Sequence, residues 1–268
     1  MSGQITVTIL GCGSSAGVPR FGNDWGLCDP DEPKNNRKRC SILVERTGPA
    51  GKTTVLIDTG PDIRQQLLDA DVQDIDAVLY THAHADHLHG IDDLRPLAIR
   101  NRQRVPVYMD RETYKRAHAA FQYCFETPHG SSYPPILDRQ ELLEGVECVI
   151  NGAGGPIEFL PIEVQHGEIK ALGFRFCGIA YLPDVSDILE EAKDSFSGLD
   201  VFIIDALRRT PHPSHFSLAD ALAWIEHLSP KQAFLTNLHN DMDYAALTRE
   251  LPAHVAPAFD GMKITAKA

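Results

Sequence analysis

The sequence predicts an α/β fold in which helices cover packed β-sheets. Segments with the two-residue alternation of a half-buried strand, such as Gln4–Leu10, recur between helical segments such as Ser217–Leu228. Carboxylates and histidines directly follow several of these strands, which predicts that they meet at one edge of the sheets. No repeat, linker or composition shift divides the chain, so we expect residues 1–268 to form one domain.

Composition and charge narrow the class of function. The chain of 268 residues is 43% hydrophobic and 23% charged, which is typical of a globular protein. Its formal net charge of -12 argues against a non-specific nucleic-acid binder, because such proteins neutralise phosphates with a basic surface. We therefore expect no stable complex with nucleic acid, although a local basic pocket is compatible with this charge.

The cysteines and the first residues predict a cytoplasmic protein. None of the six cysteines forms a Cys-x-x-Cys pair, so we interpret them as reduced thiols. Residues 1–10 lack the basic start and the long apolar core of a signal peptide. No apolar run approaches the length of a membrane span, so we expect no membrane partner. The oligomeric state stays open, with a homodimer as one alternative.

The first half of the chain alternates predicted strands and helices. The predicted strands are Gln4–Leu10, Ser41–Glu45, Thr53–Ile57, Asp76–Thr81 and Val105–Met109, and the predicted helices are Ile63–Ala70, Asp92–Arg102 and Arg111–Phe125. The glycine-rich segment Gly11–Gly17 superficially resembles a dinucleotide-binding turn, but the helix-breaking residues 17–22 follow it. We interpret it as a loop whose small residues let the backbone approach a site.

The second half continues the same alternation. The predicted strands are Pro156–Glu163, Ala171–Cys177, Gly178–Leu182, Asp200–Ile204, Gln232–Leu235 and Met262–Thr265, and the predicted helices are Asp187–Phe196, Ser217–Leu228 and Tyr244–Leu251. The helix Ser217–Leu228 has the clearest pattern, because Ser217 can cap it and leucines and Ile225 form an apolar stripe.

A dense group of metal-ligand residue types follows the predicted strand Asp76–Thr81. Its members are His82, His84, Asp86 and His87. Imidazole and carboxylate groups suit zinc, manganese or iron. A solvated histidine-rich loop is the alternative, but such density directly after a buried strand favours a metal site that is open to substrate.

Further ligand-type residues follow other predicted strands. They are Asp58, His166, Asp184, Asp205 and His239. Asp58 by itself could be a helix cap. Recurrence of the pattern across the chain implies one distributed site.

These residues resemble the metallo-β-lactamase superfamily of αββα sandwich hydrolases. The spacing His82-x-His84-x-Asp86-His87, with later partners in the right order, carries a resemblance that covers essentially the whole chain. It implies two mixed β-sheets flanked by helices.

Three segments are similar to the phosphodiesterase branch of that superfamily. They are Gly11-Cys-Gly13, Arg39-Cys-Ser41 and residues 211–217. This branch holds the phosphoribosyl cyclic phosphodiesterase of phosphonate degradation and, more distantly, the tRNA 3′-processing endonuclease. The phosphonate enzyme has a cysteine cluster for a structural zinc, of which this chain keeps only Cys28, so we expect that third metal to be absent.

The resemblance implies two divalent ions, zinc or manganese. One would be held by His82, His84 and His166, and the other by Asp86, His87 and a late histidine, with Asp184 bridging them. Asp58 would hydrogen-bond the metal shell.

The late histidine is where this chain departs from the family. In the phosphodiesterase branch it follows Thr in Leu-Thr-His, and here that position is Asn237. We expect His239 to complete the second site instead, because amide side chains are poor ligands for transition metals.

The resemblance implies hydrolysis of a small or cyclic phosphate ester of the ribose or nucleotide type. A hydroxide bridging the two ions would attack phosphorus, with Asp58 and Asp86 in the catalytic centre. His215 is the candidate general acid, because imidazole titrates near neutral pH. Arg208 and His215 are candidate contacts to the substrate phosphate.

Three alternatives stay open. A thioesterase or lactonase of the glyoxalase II type uses the same metals without requiring an acid histidine. A tRNA 3′-processing-like nuclease is less favoured, because neither an extended tRNA-binding arm nor a basic surface is evident. A structural metal-binding module would have a closed coordination sphere, whereas ligands at strand ends indicate an open one.

Overall fold

Two β-sheets packed face to face form the centre of the protein, and the computed structural model describes residues 3–267. In chain order the strands are β1 (Gln4–Gly11), β2 (Ser41–Gly48), β3 (Gly51–Ile57), β4 (Ala77–Leu79), β5 (Val105–Met109), β6 (Leu137–Glu141), β7 (Cys148–Ile150), β8 (Ile157–His166), β9 (Ile169–Phe176), β10 (Ile179–Leu182), β11 (Val201–Asp205), β12 (Gln232–Thr236), β13 (Val255–Pro257) and β14 (Lys263–Lys267).

Both sheets are mixed and follow the same plan. The first has the order β14-β1-β2-β3-β4-β5-β6, antiparallel up to β3 and parallel from β3 to β6. The second has the order β13-β12-β11-β10-β9-β8-β7, antiparallel from β7 to β10 and parallel beyond. Each sheet therefore has a group of parallel strands whose carboxyl ends share one edge.

Helices cover the outer faces of the sheets. They are α1 (Ile63–Asp69), α2 (Ala85–Leu88), α3 (Arg95–Asn101), α4 (Arg111–Phe125), α5 (Leu218–Leu228) and α6 (Tyr244–Glu250). The predicted start of α5 is confirmed. The Ser217 side chain accepts a hydrogen bond from the Asp220 N–H, and the Asp220 carboxylate accepts one from the Ser217 N–H.

Buried side chains form three layers, which confirms the αββα sandwich. The central layer joins the inner faces of the two sheets, for example Val55 of β3 and Phe174 of β9. A second layer packs the helices around Ala117 of α4 on the first sheet. A third packs Ile225 of α5 and Leu247 of α6 on the second sheet. Removing this apolar surface from water is the main force holding the layers together.

The sequence pattern misses three of the strands, β6, β7 and β13. Each lies at the outer edge of its sheet, and β7 and β13 contain only three residues each. Edge strands are often short or polar, which protects them from pairing with other chains, so they lack the apolar run of a central strand.

Two predicted helices differ in type from those observed. The predicted helix Asp92–Arg102 is a 3-10 turn, Ile91–Leu94, followed by α3, and the predicted helix Asp187–Phe196 is a 3-10 helix over Glu190–Phe196. Pro96 lies at the first turn of α3, where proline is tolerated because its missing N–H would have no intrahelical partner. Within residues 3–267, no helix combines the length and the apolarity that crossing a bilayer requires.

Candidate metal centre

The candidate site lies where strand ends of the two sheets meet. From the first sheet, Asp58 follows β3, and residues 81–87 come shortly after β4. From the second sheet, His166 ends β8, Asp184 follows β10, and Asp205 ends β11. β8 runs in the same direction as β10, because both are antiparallel to β9. The predicted convergence of these residues at one edge of the sandwich is therefore observed.

Three histidines form the first group of ligand atoms. His84 Nδ1 lies 2.9 Å from His82 Nε2 and 3.2 Å from His166 Nε2. Each residue offers a ring nitrogen, and these atoms lie within 4.8 Å of one another. Nitrogens bound to one tetrahedral zinc at 2.0–2.1 Å are separated by about 3.3 Å. The three rings are thus spaced closely enough to share one ion.

A second group forms around His87 and Asp184. His87 Nε2 lies 3.0 Å from Asp184 Oδ2 and 3.5 Å from Asp86 Oδ2. His82 also belongs to this group, so the two groups are contiguous. Burial alone would lower the pKa of His87, but the carboxylates of Asp184, Asp58 and Asp86 outweigh burial and raise it well above its usual value.

Asp58 fixes the orientation of His87. Its Oδ2 lies 2.8 Å from His87 Nδ1, and its two oxygens accept hydrogen bonds from the N–H and the hydroxyl of Thr81. Asp58 is fully buried and has a φ of 67°, a left-handed conformation that costs energy for a residue other than glycine. This contact turns Nε2 of His87 towards Asp184.

Two of the other histidines also have a hydrogen-bond partner at the ring nitrogen that points away from the potential ligands. Nδ1 of His166 donates to the backbone carbonyl of Ser214 at 2.6 Å, and Nδ1 of His82 lies 3.0 Å from the Thr81 hydroxyl. Histidines that bind metals commonly use one ring nitrogen for such a support and the other for the ion. The histidine orientations therefore fit metal binding.

The buried carboxylate of Asp184 gives an independent indication of a cation. Within residues 3–267, its Oδ2 has no hydrogen-bond partner, because the approach of His87 lacks hydrogen-bond geometry. Burial alone would raise the pKa of Asp184, but His87, His82 and His215 outweigh burial and lower it well below its usual value. An ionised, buried oxygen without a hydrogen bond is costly unless a cation lies beside it. In this structure His87 Nε2, 3.0 Å away, takes that place, which a divalent ion could also take.

His215 and Asp205 form a pair beside the three-histidine group. His215 Nδ1 lies 2.8 Å from Asp205 Oδ2, and its ring centroid lies 4.6 Å from that of His166. Asp205 is fully buried, and it also accepts a hydrogen bond from the amide of Asn237 at 3.1 Å. Burial raises the pKa of Asp205. Burial alone would lower the pKa of His215, but the hydrogen bond and charge of Asp205, together with the carboxylates of Asp184 and Asp86, outweigh burial and raise this pKa.

The structure places His239 outside each group of potential ligands. Its Nδ1 lies 3.1 Å from Asp241 Oδ1, and its Nε2 lies 3.3 Å from Arg20 Nη1. The position that the family fills with histidine holds Asn237, whose Nδ2 points to the carboxylates of Asp205 and Asp184. The structure therefore does not show His239 acting as a ligand in place of Asn237, because its ring faces Asp241 and Arg20.

One cavity of about 420 Å³ connects these groups. Four of the potential metal ligands line it together with the loops of Ser14, Arg208 and His239; these four are His84, Asp86, His166 and Asp184. The Arg208 guanidinium donates to the backbone carbonyls of Thr210 and Pro211 and forms no ion pair within residues 3–267. The contact of Arg208 with a substrate phosphate stays a prediction.

The sequence pattern does not identify Arg20 as a residue of the site, nor Asp205 as the hydrogen-bond partner of His215. Arg20 lines the cavity from the loop that follows Gly11–Gly17. For Gly11–Gly17 itself, the sequence predicts only that the backbone approaches a site. For Asp205 the sequence did hold a signal, because this carboxylate lies at the end of a predicted strand. For Arg20 the sequence held no comparable signal, because its contact with His239 spans 219 positions.

Comparison with known families defines the class of the protein. The family described as Beta-lactamase superfamily domain matches residues 53–237, a span that contains all the potential metal ligands. The chain belongs to the metallo-β-lactamase superfamily of metal-dependent hydrolases. Within it, the chain falls in the PhnP-like branch: a solved diphosphatase from the PhnP family is 35% identical with a TM-score of 0.89, over 100% of this chain and 99% of that one.

Two further relatives carry other names. An octanoyltransferase of Porphyromonas gingivalis is 30% identical over 262 residues, which are 95% of this chain but 50% of that protein, so the chain spans about half its length. Zn(2+)-bound PqqB from Methylobacterium extorquens has a TM-score of 0.76 at 18% identity, over 97% of this chain and 99% of that one. At this identity the similarity to PqqB shows a shared fold alone.

Proposed function

We propose that this protein is a phosphodiesterase that hydrolyses small phosphate esters of the nucleotide type with His215 as general acid. The observation that carries the proposal is the His215–Asp205 pair beside the three-histidine group, with a ring-centroid distance of 4.6 Å between His215 and His166. A thioesterase of the same superfamily does not require an acid at this place, whereas the leaving oxygen of a phosphodiester needs a proton.

The residues present fit divalent ions such as zinc or manganese. His82, His84 and His166 would hold one ion. His87 and Asp86 would contribute to a second, and Asp184 would be shared between them. Bound ions would lower the pKa of water and neutralise charge on the phosphoryl oxygens.

The second ion would have fewer protein ligands than the first. Asn237 replaces the histidine of related enzymes, and its Nδ2 atom lies 3.5 Å from Asp184 Oδ1 and 3.1 Å from Asp205 Oδ1. An amide N–H group donates hydrogen bonds and does not bind cations. We therefore expect the two ions to be bound with unequal affinity.

The pair of His215 and Asp205 would deliver the proton to the leaving group. Asp205 accepts the hydrogen bond at Nδ1, which fixes the tautomer and the plane of the ring. Nε2 then has no hydrogen bond within residues 3–267, and the ring lines the cavity. A proton carried on Nε2 is thus accessible to an ester oxygen bound there.

Arg208 would bind the phosphate itself. Arg208 lines the cavity, and its guanidinium has no carboxylate partner in the described part of the chain. In a chain of net charge -12, such an uncompensated cation concentrates anionic substrate at the site. The PhnP-family relative is a diphosphatase, an enzyme that also acts on phosphoryl groups.

The test is a panel of esters offered to the zinc- and manganese-loaded protein. We expect hydrolysis of bis(p-nitrophenyl) phosphate, with kcat lowered by roughly 10²–10⁴ in His215→Ala and with unchanged metal content. His227→Ala, which removes an exposed histidine of α5, is the matched control. Loss of metal in His215→Ala would show a ligand role instead, since His215 also lies near His166 and Asp184. Turnover of S-lactoylglutathione without phosphodiester turnover would favour the thioesterase.

A further inference from the structure

Arg20 and His239 meet at the cavity from two loops that are far apart in sequence. Arg20 Nη1 lies 3.3 Å from His239 Nε2, and both side chains line the cavity that holds the metal-ligand residues. Neither belongs to the groups of potential ligands. Their position beside the metal centre is therefore not explained by metal binding.

An aspartate binds each of these two side chains at nitrogen atoms that do not face the other side chain. Asp24 accepts from Nε and Nη2 of Arg20, and Asp241 lies 3.1 Å from Nδ1 of His239. Asp24 is itself fixed by the N–H of Gly26. The remaining atoms, Nη1 of Arg20 and Nε2 of His239, face each other, and Nη1 donates a hydrogen bond to Nε2. An anion that enters here can accept this N–H in place of the His239 ring.

A fully buried arginine ties the two loops together. Arg37, which is 1% exposed, donates from its guanidinium to the carbonyls of Met242 and His239. Its backbone pairs with Val18 in both directions, two residues before Arg20. The loops of Arg20 and His239 are therefore cross-linked through one rigid side chain, which preorganises the pair before any ligand binds.

We propose that Arg20 and His239 form a second anion subsite, which binds the further phosphoryl group of a diphosphate-type substrate. The reacting phosphoryl group would lie at the three-histidine group, and an oxygen of the next one along the substrate would replace His239 Nε2 as the acceptor of the Arg20 Nη1 hydrogen bond, with the His239 ring beside it. The inference rests on the proposed function, because it assumes that a phosphoryl group reacts at the metal centre. Guanidinium groups suit this task, since their planar N–H groups match phosphate oxygens.

The subsite predicts preference for two linked phosphoryl groups over one. The probes are ADP and AMP, which differ by one phosphoryl group, used as inhibitors of bis(p-nitrophenyl) phosphate hydrolysis and as ligands in calorimetry of the zinc-loaded protein. We expect ADP to bind at least about 10-fold more tightly than AMP, since hydrogen bonds to charged groups are worth this much.

Variants test whether Arg20 and His239 cause the preference for ADP over AMP. Arg20→Gln should reduce the ADP-to-AMP affinity ratio to about threefold or less by removing a charge-assisted hydrogen bond, and His239→Gln should reduce it by a smaller factor. His239→Gln should also retain the metal content of the parent, as expected for a residue outside the ligand groups. Arg209→Gln is the matched control, because Arg209 is exposed and paired with Glu250; its ratio should equal that of the parent.

Two results would overturn the subsite. One is equal affinity for ADP and AMP in the parent, and the other is an unchanged ratio in Arg20→Gln. Calorimetry measures the binding of ADP and AMP without hydrolysis, so it distinguishes failure of the subsite from failure of the proposed function. Absence of ester hydrolysis together with an Arg20-dependent ADP preference would leave the subsite standing and refute the phosphodiesterase.

Discussion

Oδ2 of Asp58 lies 2.8 Å from Nδ1 of His87, and this contact links the carboxyl end of β3 to the short helix α2. Because both groups are buried, the interaction is shielded from solvent and fixes the ring of His87. The free nitrogen of the ring then faces Asp184. The orientation of a potential metal ligand thus depends on a residue outside the groups of potential ligands.

Replacing this support should weaken metal binding. We expect Asp58→Ala to lower the affinity for zinc by roughly 10–100-fold, because His87 loses the partner that selects its tautomer and orientation. Competition with a chromogenic chelator measures this affinity. Asp62→Ala is the matched control: Asp62 lies in the same segment, but its carboxylate pairs with Arg39. Equal affinities in Asp58→Ala and the parent would contradict the supporting role.

Asp205 should act on catalysis through His215. We expect Asp205→Asn to lower kcat for bis(p-nitrophenyl) phosphate by roughly 10–100-fold, because an amide does not fix the imidazole in the same tautomer. KM should change little, since Asp205 does not line the cavity. Steady-state kinetics with metal analysis gives both quantities. Asp200→Asn, at the other end of the same strand segment and paired with Lys231, is the control. An effect confined to KM would argue against positioning of the acid.

Asp260 should make stability depend on pH. Burial raises its pKa to about 6, although it accepts hydrogen bonds from the N–H groups of Cys12 and Lys38. Because the pKa in the folded state lies above the unfolded value of 3.8, its contribution is fully present below about pH 4. That contribution is lost as the pH rises through about 6.

The Asp260→Asn variant isolates this contribution. The free energy of unfolding of the parent, relative to the variant, should fall by about 2 kcal/mol between pH 4 and pH 7, since one pKa unit corresponds to about 1.4 kcal/mol and the unfolded carboxyl is already partly ionised at pH 4. Urea denaturation with a chelator present measures both proteins without metal effects. The exposed Asp31→Asn should follow the parent at each pH. Parallel pH profiles of the parent and Asp260→Asn would refute the assignment.

Much of the fold is readable from local patterns. The central strands and the helix α5 follow the predicted spans, because burial of one face imposes a period of two or 3.6 residues on the sequence. The edge strands β6, β7 and β13 carry little of this signal, since edge strands are often short or polar and β7 and β13 contain only three residues each.

The sequence by itself determined the chemistry and spacing of the candidate ligands near β4. His82, His84, Asp86 and His87 lie within one short segment, so their chemistry and spacing are visible without any fold. It also indicated that Asp58, His166 and Asp184 would join them, because ligand types at strand ends meet at a sheet edge.

Only the tertiary structure decided the neighbours of His239 and the pairing of His215 with Asp205. Both depend on how loops leave the strand ends, where Asn237 has a φ of 61° and turns the chain. A loop of this kind has no periodic pattern, and its side chains are directed by contacts with distant segments such as that of Arg37. The residue types predict a metal centre, and the packing of loops against each other decides which side chains reach it.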